Sequence, residues 1–212
     1  MVSGDLDISV ALGTLTLKNP FIVGSGPAAR TVEQIRRAEE SGWAAASMKL
    51  AIEPEPYISL PPRYRWFAEK KMHAFTAEKR FHTGESLDLL EKARRMTEEI
   101  LIFANIAYDG DEDGGWGKLA RRYADAGAHA LELNLCCPNM SFNQEATEGE
   151  SNRATGASLG MDQARIGRVV AEVLGAVDVP VIAKLTAEGG QIGEAAEICR
   201  KAGIHGVEKP HQ

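Results

Sequence analysis

Three times this chain runs an amphipathic stretch into a glycine and then into a short apolar run. Ala38-Glu39-Glu40-Ser41-Gly42 leads into residues 43–49, Ala124-Asp125-Ala126-Gly127 into 129–134, and Cys199-Arg200-Lys201-Ala202-Gly203 into 204–208. Each unit reads as a helix, a glycine cap and a buried strand. Two more apolar runs, 100–105 and 179–184, fit between them, with helices expected around 87–96, 118–125, 164–174 and 194–200. Thr31 with Gln34 three residues on is a capping-box pattern and starts a helix that Gly42 ends. Upstream, two alternating runs on either side of Gly13 predict a small hairpin within residues 5–18, and Phe21-Ile22-Val23 a buried strand. Strand and helix alternate about six times, the pattern of a parallel α/β protein. Its 212 residues are read as one domain.

The strand ends choose between an open sheet and a barrel. Lys49, Asn105, Asn134 and Lys184 each close a different apolar run. An open sheet gathers its ligand at one switch point, whereas a barrel collects polar side chains from many strand ends around one mouth. The barrel is therefore expected. Two long segments, 53–86 and 140–160, are expected to be loops on the active face. The basic stretch from Arg63 to Arg80 reads most simply as a solvated lid face, or else as a greeting for an anionic substrate. Gly24-Ser25-Gly26 imitates a dinucleotide fingerprint, but strand two ends in Lys49 rather than the acid that would hold a ribose.

The run Leu131-Glu132-Leu133-Asn134-Leu135-Cys136-Cys137-Pro138-Asn139 carries the chemistry. Pro138 has no N–H to continue a ladder, so two amides and two thiols sit where a buried strand becomes a loop. Cys137 there suits a nucleophile or a general base; the plainer alternative is an inert, packed thiol. No C-x₂-C spacing supports a metal. Asn134 and Asn139 offer donors and acceptors to a flat ring bearing C=O and N–H groups, although Asn139 alone would read as loop chemistry. Lys49 and Lys184 together suggest two cations facing one electron-rich ligand such as a reduced flavin. Cys199 reads as helix packing.

Composition sets the class. The net charge of −6 argues against a nucleic-acid surface, and no apolar run approaches the ~20 residues of a membrane span. The first residues lack the basic and apolar regions of a signal peptide, and three cysteines make no disulfide framework. The expectation is a reduced, cytoplasmic protein.

With Asn19-Pro20-Phe21, Ser25-Gly26, Met48-Lys49 and Ala183-Lys184-Leu185-Thr186 in order around the Glu132–Asn139 block, the chain resembles the dihydroorotate dehydrogenase family and its relative, the flavin domain of dihydropyrimidine dehydrogenase. The resemblance implies a (β/α)₈ TIM barrel binding FMN at its carboxyl mouth and acting on the 5,6 bond of a dihydropyrimidine. It implies Cys137 as general acid or base at C5, with hydride passing between C6 and flavin N5. Ser25, Gly26, Lys49, Asn105, Asn134 and Lys184 would hold the flavin, and Asn134 and Asn139 the substrate. Gly156-Ala157-Ser158-Leu159-Gly160 looks more like the dihydropyrimidine branch. Three departures stand out. Cys136 replaces the usual serine, and Ala77 stands where a substrate asparagine is usual. The last two strands and the Asn-Thr element after strand six are not found, so a barrel cut short after about six strands is expected. An inactive remnant unable to hold FMN, or a Schiff-base lyase using Lys49 or Lys184, are the competing readings. No iron–sulfur spacing is present, so an NAD(P)H- or iron–sulfur-bearing electron partner would lie on another chain or in the missing part. Homo-oligomerisation is left open.

Overall fold

A computed structural model describes residues 6–53, 64–75, 80–110, 112–137 and 155–209. Strands β1 (Val10–Leu12) and β2 (Leu15–Leu17) pair antiparallel across Gly13 and Thr14. The chain continues through β3 (Ile22–Val23), α1 (Val32–Glu40), β4 (Ala45–Ser47) and β5 (Ala51–Glu53). Then come β6 (Tyr64–Phe67), β7 (Met72–Phe75), β8 (Phe81–His82), α2 (Thr83–Met96), β9 (Leu101–Tyr108) and α3 (Gly115–Asp125). The remainder is β10 (Ala130–Leu135), α4 (Ala157–Gly160), α5 (Gln163–Leu174), β11 (Val181–Leu185), α6 (Ile192–Ala202) and β12 (Gly206–Glu208).

The main sheet has the order β12-β11-β10-β9-β4-β3, every pair parallel. It is a half-barrel, and one contact proves the curl. β3 and β11 are four strand spacings apart, about 19 Å across a flat sheet. Yet Lys184 Nζ, on β11, lies 3.2 Å from Ser25 Oγ, just past β3. The sheet must bend to bring those ends together.

Alternation along each strand sorts side chains into two layers. Ile102, Ala104 and Ile106 of β9, Leu131, Leu133 and Leu135 of β10, and Val181, Ala183 and Leu185 of β11 face outward into the core shared with the helices. Phe103, Ala130 and Ile182 face inward, at the amino end, and pack against Leu17 of the hairpin. The hairpin therefore plugs the bottom of the half-barrel. A side chain at Gly13 would collide there, since a Cβ would lie 2.6 Å from the His205 ring, and the φ of +56° also favours glycine. The inward positions that follow toward the carboxyl end are polar: Asn105, Glu132, Asn134 and Lys184.

The repeated unit recurs in space as well. His129 Nδ1 accepts the Ile102 N–H at 2.8 Å while its own N–H donates to Ile102 O. His205 does the same with Val181, at 3.1 Å. Each histidine sits between a helix's glycine cap and its next strand and joins that strand to a neighbour.

Two expectations need correction. Strand two does not end at Lys49: Ser47 pairs with Phe103 and Ala51 with Ile106, so β4 and β5 flank one extra residue opposite β9. Lys49 lies in that bulge. The segment 53–86 is not plain loop either. It holds the antiparallel pair β6–β7 and the short β8, which joins the sheet beside β5. Aromatic residues suited to a pleated ribbon are interleaved with the charges that made it look like a loop.

Candidate active site

The inward carboxyl ends of β9, β10 and β11 converge on Glu132. Its carboxylate, 1% exposed, accepts from Ser25 Oγ at 3.1 Å, from Lys184 Nζ at 3.1 Å and from the Asn105 amide. The same Asn105 amide lies 3.1 Å from Ser25 Oγ. Asn134 in turn donates to Asn105 Oδ1 at 3.1 Å. Lys184 also meets Glu208 of β12 at 2.9 Å. Burial works against the Lys184 charge, but Glu132 and Glu208 outweigh it and raise its pKa. Glu208 is pushed up by burial and by Glu132. A buried charge needs such partners, because desolvation alone costs several kcal/mol.

Asn134 links this cluster to the thiols. Its Oδ1 accepts the Cys137 N–H at 3.0 Å and the Cys136 N–H at 3.4 Å, so one amide shapes the turn after β10. Cys136 is buried, and burial pushes its thiol up to about 12. Cys137 is half-buried, and its carbonyl accepts from Ala157 N at 3.2 Å, at the start of α4. Gly160 closes α4 against β10 so tightly that a Cβ would lie 2.0 Å from Leu135 O.

Of the residues singled out in the sequence, Ser25, Asn105, Asn134 and Lys184 form one hydrogen-bonded group, with Cys137 joined through Asn134. Gly26 lies beside Ser25 in the loop after β3, where its N–H bonds Gly24 O at 2.7 Å. Lys49 is at the same end of the sheet, its N–H bonded to Ala29 O at 3.0 Å. Asn139 lies outside the described residues, as does 140–154 of the second long segment.

Sequence reading missed two charged groups. Glu132 had a signal: it shares the face of Asn134, two residues on, and so points inward with it. Arg80 had none. In sequence it belongs to the basic stretch expected to be a solvated lid face or a greeting for an anionic substrate, but it is 3% exposed and its Nη2 donates to Cys137 Sγ at 3.0 Å. Backbone pairing explains this, since β8 runs beside β5 and draws the residue preceding it into the mouth.

The donors of this rim suit a flat ligand rich in carbonyl and ring-nitrogen acceptors. A cation, two amides and a hydroxyl face the same space. The backbone of the loop after β3 is uncrowded: a Cβ on Gly24 would meet nothing within 4 Å, and one on Gly26 only Gly24 O, at 3.9 Å. Below the rim a cavity of about 280 Å³ runs between β3 and β12, lined by Leu12, Leu17, Ile22, Ile182 and Glu132. Among the described residues no group of three His, Cys, Asp or Glu side chains could hold a metal ion. No described helix is long and apolar enough to cross a membrane.

No family model matches the chain. Among curated proteins it is 26% identical to the chloroplastic dihydropyrimidine dehydrogenase (NADP(+)) of Arabidopsis thaliana, over 95% of this chain and 47% of that protein. It is 25% identical to the NAD-dependent dihydropyrimidine dehydrogenase subunit PreA of Escherichia coli K12, again over 95% of this chain and 47% of the relative. The catalytic subunit of dihydroorotate dehydrogenase B (NAD(+)) from Thermoplasma volcanium is 27% identical over 92% of this chain and 60% of its own length. The chain thus spans about half the length of the first two. Among solved structures, dihydroorotate dehydrogenase from Eimeria tenella, in complex with ferulenol, superposes with a TM-score of 0.69 at 14% identity. It covers 98% of this chain and 60% of that one, and so shares the fold.

Proposed function

We propose that this chain, similar in sequence to dihydropyrimidine and dihydroorotate dehydrogenases, is the flavin-binding, substrate-oxidising or -reducing part of an enzyme of that family. The substrate class is a pyrimidine ring whose 5,6 bond changes order. The observation that carries the reading is the link from Cys137 through Asn134 to Asn105, Glu132 and Lys184. An acid–base group and a set of ring-binding donors then share one mouth.

The donor set fits FMN. Ser25, Asn105, Asn134 and Lys184 would hold its ring and ribityl side, with Gly26 and Lys49 beside them. When bound, the flavin supplies the hydride chemistry. The chain's own residues supply the rest. The Cys137 sulfur takes or returns the proton at C5 of the pyrimidine. The Asn134 amide fixes the backbone of Cys137 and, with Asn139, orients the substrate's amide groups. Glu132 keeps Lys184 protonated and pointed at the rim. A Schiff-base lysine needs a depressed pKa, and Lys184 moves the other way, which argues against it as the nucleophile of a lyase. The electron acceptor is a partner subunit or a further part of the enzyme; the relatives named as subunits support that arrangement.

Titration of flavin-free protein with FMN, then anaerobic mixing with dihydrouracil, dihydrothymine or dihydroorotate, tests the reading. Stoichiometric binding and bleaching of the flavin band by one of the three are expected. Cys137→Ala should retain the flavin and slow its reduction about 10²–10⁴-fold. Failure to bind FMN, or full-speed reduction in the variant, overturns the assignment.

A further inference from the structure

We propose that Glu208 is a latch on Lys184: it takes the hydrogen bond that a ligand at the mouth needs, and it must swing away before the ammonium can donate to that ligand. Among the described residues three acceptors lie within 3.2 Å of Lys184 Nζ. They are Glu208 Oε1 at 2.9 Å, Glu132 Oε1 at 3.1 Å and Ser25 Oγ at 3.2 Å. An ammonium has three N–H groups and no more. The Lys184 side chain is 11% exposed, so water has little access to it. A ring carbonyl or ring nitrogen gains a bond from this lysine only by taking the place of one of the three.

The three holders are unequal. Glu132 is buried and also accepts from Asn105 and Ser25. Ser25 Oγ is fixed from two sides, since it donates to Glu132 and accepts from the Asn105 amide. Glu208 has a looser seat. Its side chain is 40% exposed, on a three-residue strand that pairs with β11 alone among the described residues. Lys184 and Glu208 are direct cross-strand partners, which puts carboxylate and ammonium on one inward face. Glu132 reaches the pair from β10, and Cys136, just past β10, feels all three charges. Helix α6 packs on the outer side of β11 and β12, where its Glu197 is joined to Arg200 and Lys201. Burial and the Glu132 charge work against an ionised Glu208 and raise its pKa. The cavity below the rim, lined by both carboxylates, leaves room beside it. A released Glu208 regains water, whereas releasing Glu132 would strand a buried charge.

Resting on the flavin reading above, the latch makes ring binding depend on pH. A protonated Glu208 has no charge with which to hold the ammonium. Its pKa lies above 4.5, so release sets in above that pH and affinity for the ring should rise as pH falls.

Acylation of Lys184 by acetic anhydride, read by peptide mass against Lys92 and Lys118, tests the hold without flavin or turnover. Glu208→Gln should speed it about threefold, the worth of a half-exposed ion pair. Cys199, fully buried, should stay unalkylated and so report an intact fold. An unchanged Lys184 rate overturns the latch. Lumiflavin, a flavin ring without a phosphate to titrate, tests the ligand step by fluorescence quenching. Wild-type affinity should rise about threefold from pH 8 to pH 5, and Glu208→Gln should bind with the higher affinity at both. A wild-type affinity that stays flat or falls over that range overturns the proposal, and this measurement needs no variant. So does weaker binding in Glu208→Gln, since Glu208 would then serve the ring rather than compete with it. If neither protein binds lumiflavin while Lys184 acylation still responds to Glu208, the flavin reading fails and the hold on Lys184 stands.

Discussion

Glu132 is the residue on which the mouth depends. It lies inside a sheet, 1% exposed, and its charge is tolerable only because Lys184, Asn105 and Ser25 all donate to it. Lys184→Met leaves that carboxylate without its cation and is expected to destabilise the protein by about 3–5 kcal/mol in urea unfolding. Adding Glu132→Gln to the same chain should recover part of the loss, because a neutral amide needs no counter-charge. A double variant as unstable as the single one would show that packing, not charge, is what Lys184 contributes. Cys136 differs from its neighbour: buried with its pKa pushed up to about 12, it should resist alkylation at neutral pH while Cys137 reacts.

Elements place these residues through caps, glycines and the repeated histidine. The Thr31–Gln34 capping box is present as the sequence predicts, with Thr31 Oγ1 accepting from Gln34 N at 3.3 Å. Thr31→Ala should cost about 1 kcal/mol, measurable as a lower urea midpoint at constant slope. Gly160→Ala should cost more, about 1–3 kcal/mol, because helix α4 must lift off Leu135 and disturb the turn that holds Cys137. His129 gives the fold a pH dependence. Burial lowers its pKa from 6.5 to about 4, helped by Arg94. A base whose pKa is depressed on folding binds more protons when unfolded, so its contribution is whole above about pH 6.5 and is lost as pH falls toward 4. Thermal melts should weaken across that window, and His129→Asn, which keeps an acceptor for the Ile102 N–H, should flatten part of the slope. An unchanged profile in that variant would place the titration elsewhere.

Across the whole molecule, curvature turns a row of strands into a site. The ends of β3 and β11 share a hydrogen bond only because the sheet curls, and the hairpin plug at the amino end leaves the carboxyl end as the opening. FMN bound across this rim should raise the melting temperature as its concentration rises, by the linkage between binding and folding. A melt insensitive to FMN would mean that the ends of β9, β10 and β11 do not hold it.

The sequence by itself determined what is local. The period-two alternation of β9, β10 and β11 already puts Asn105, Glu132, Asn134 and Lys184 on one set of faces, and glycine caps set where the helices stop. Polar tips on several parallel strands need a common mouth, which a barrel provides. Only the tertiary structure decided which distant charges meet. Arg80 reaches Cys137 across 57 positions, and Ser25 reaches Lys184 across 159. No periodicity encodes such pairs, because they depend on strand order, the bulge at Lys49 and the curl of the sheet. Those are set by the packing of the whole chain, and a charge on a basic surface loop looks the same in sequence as one buried against a thiol.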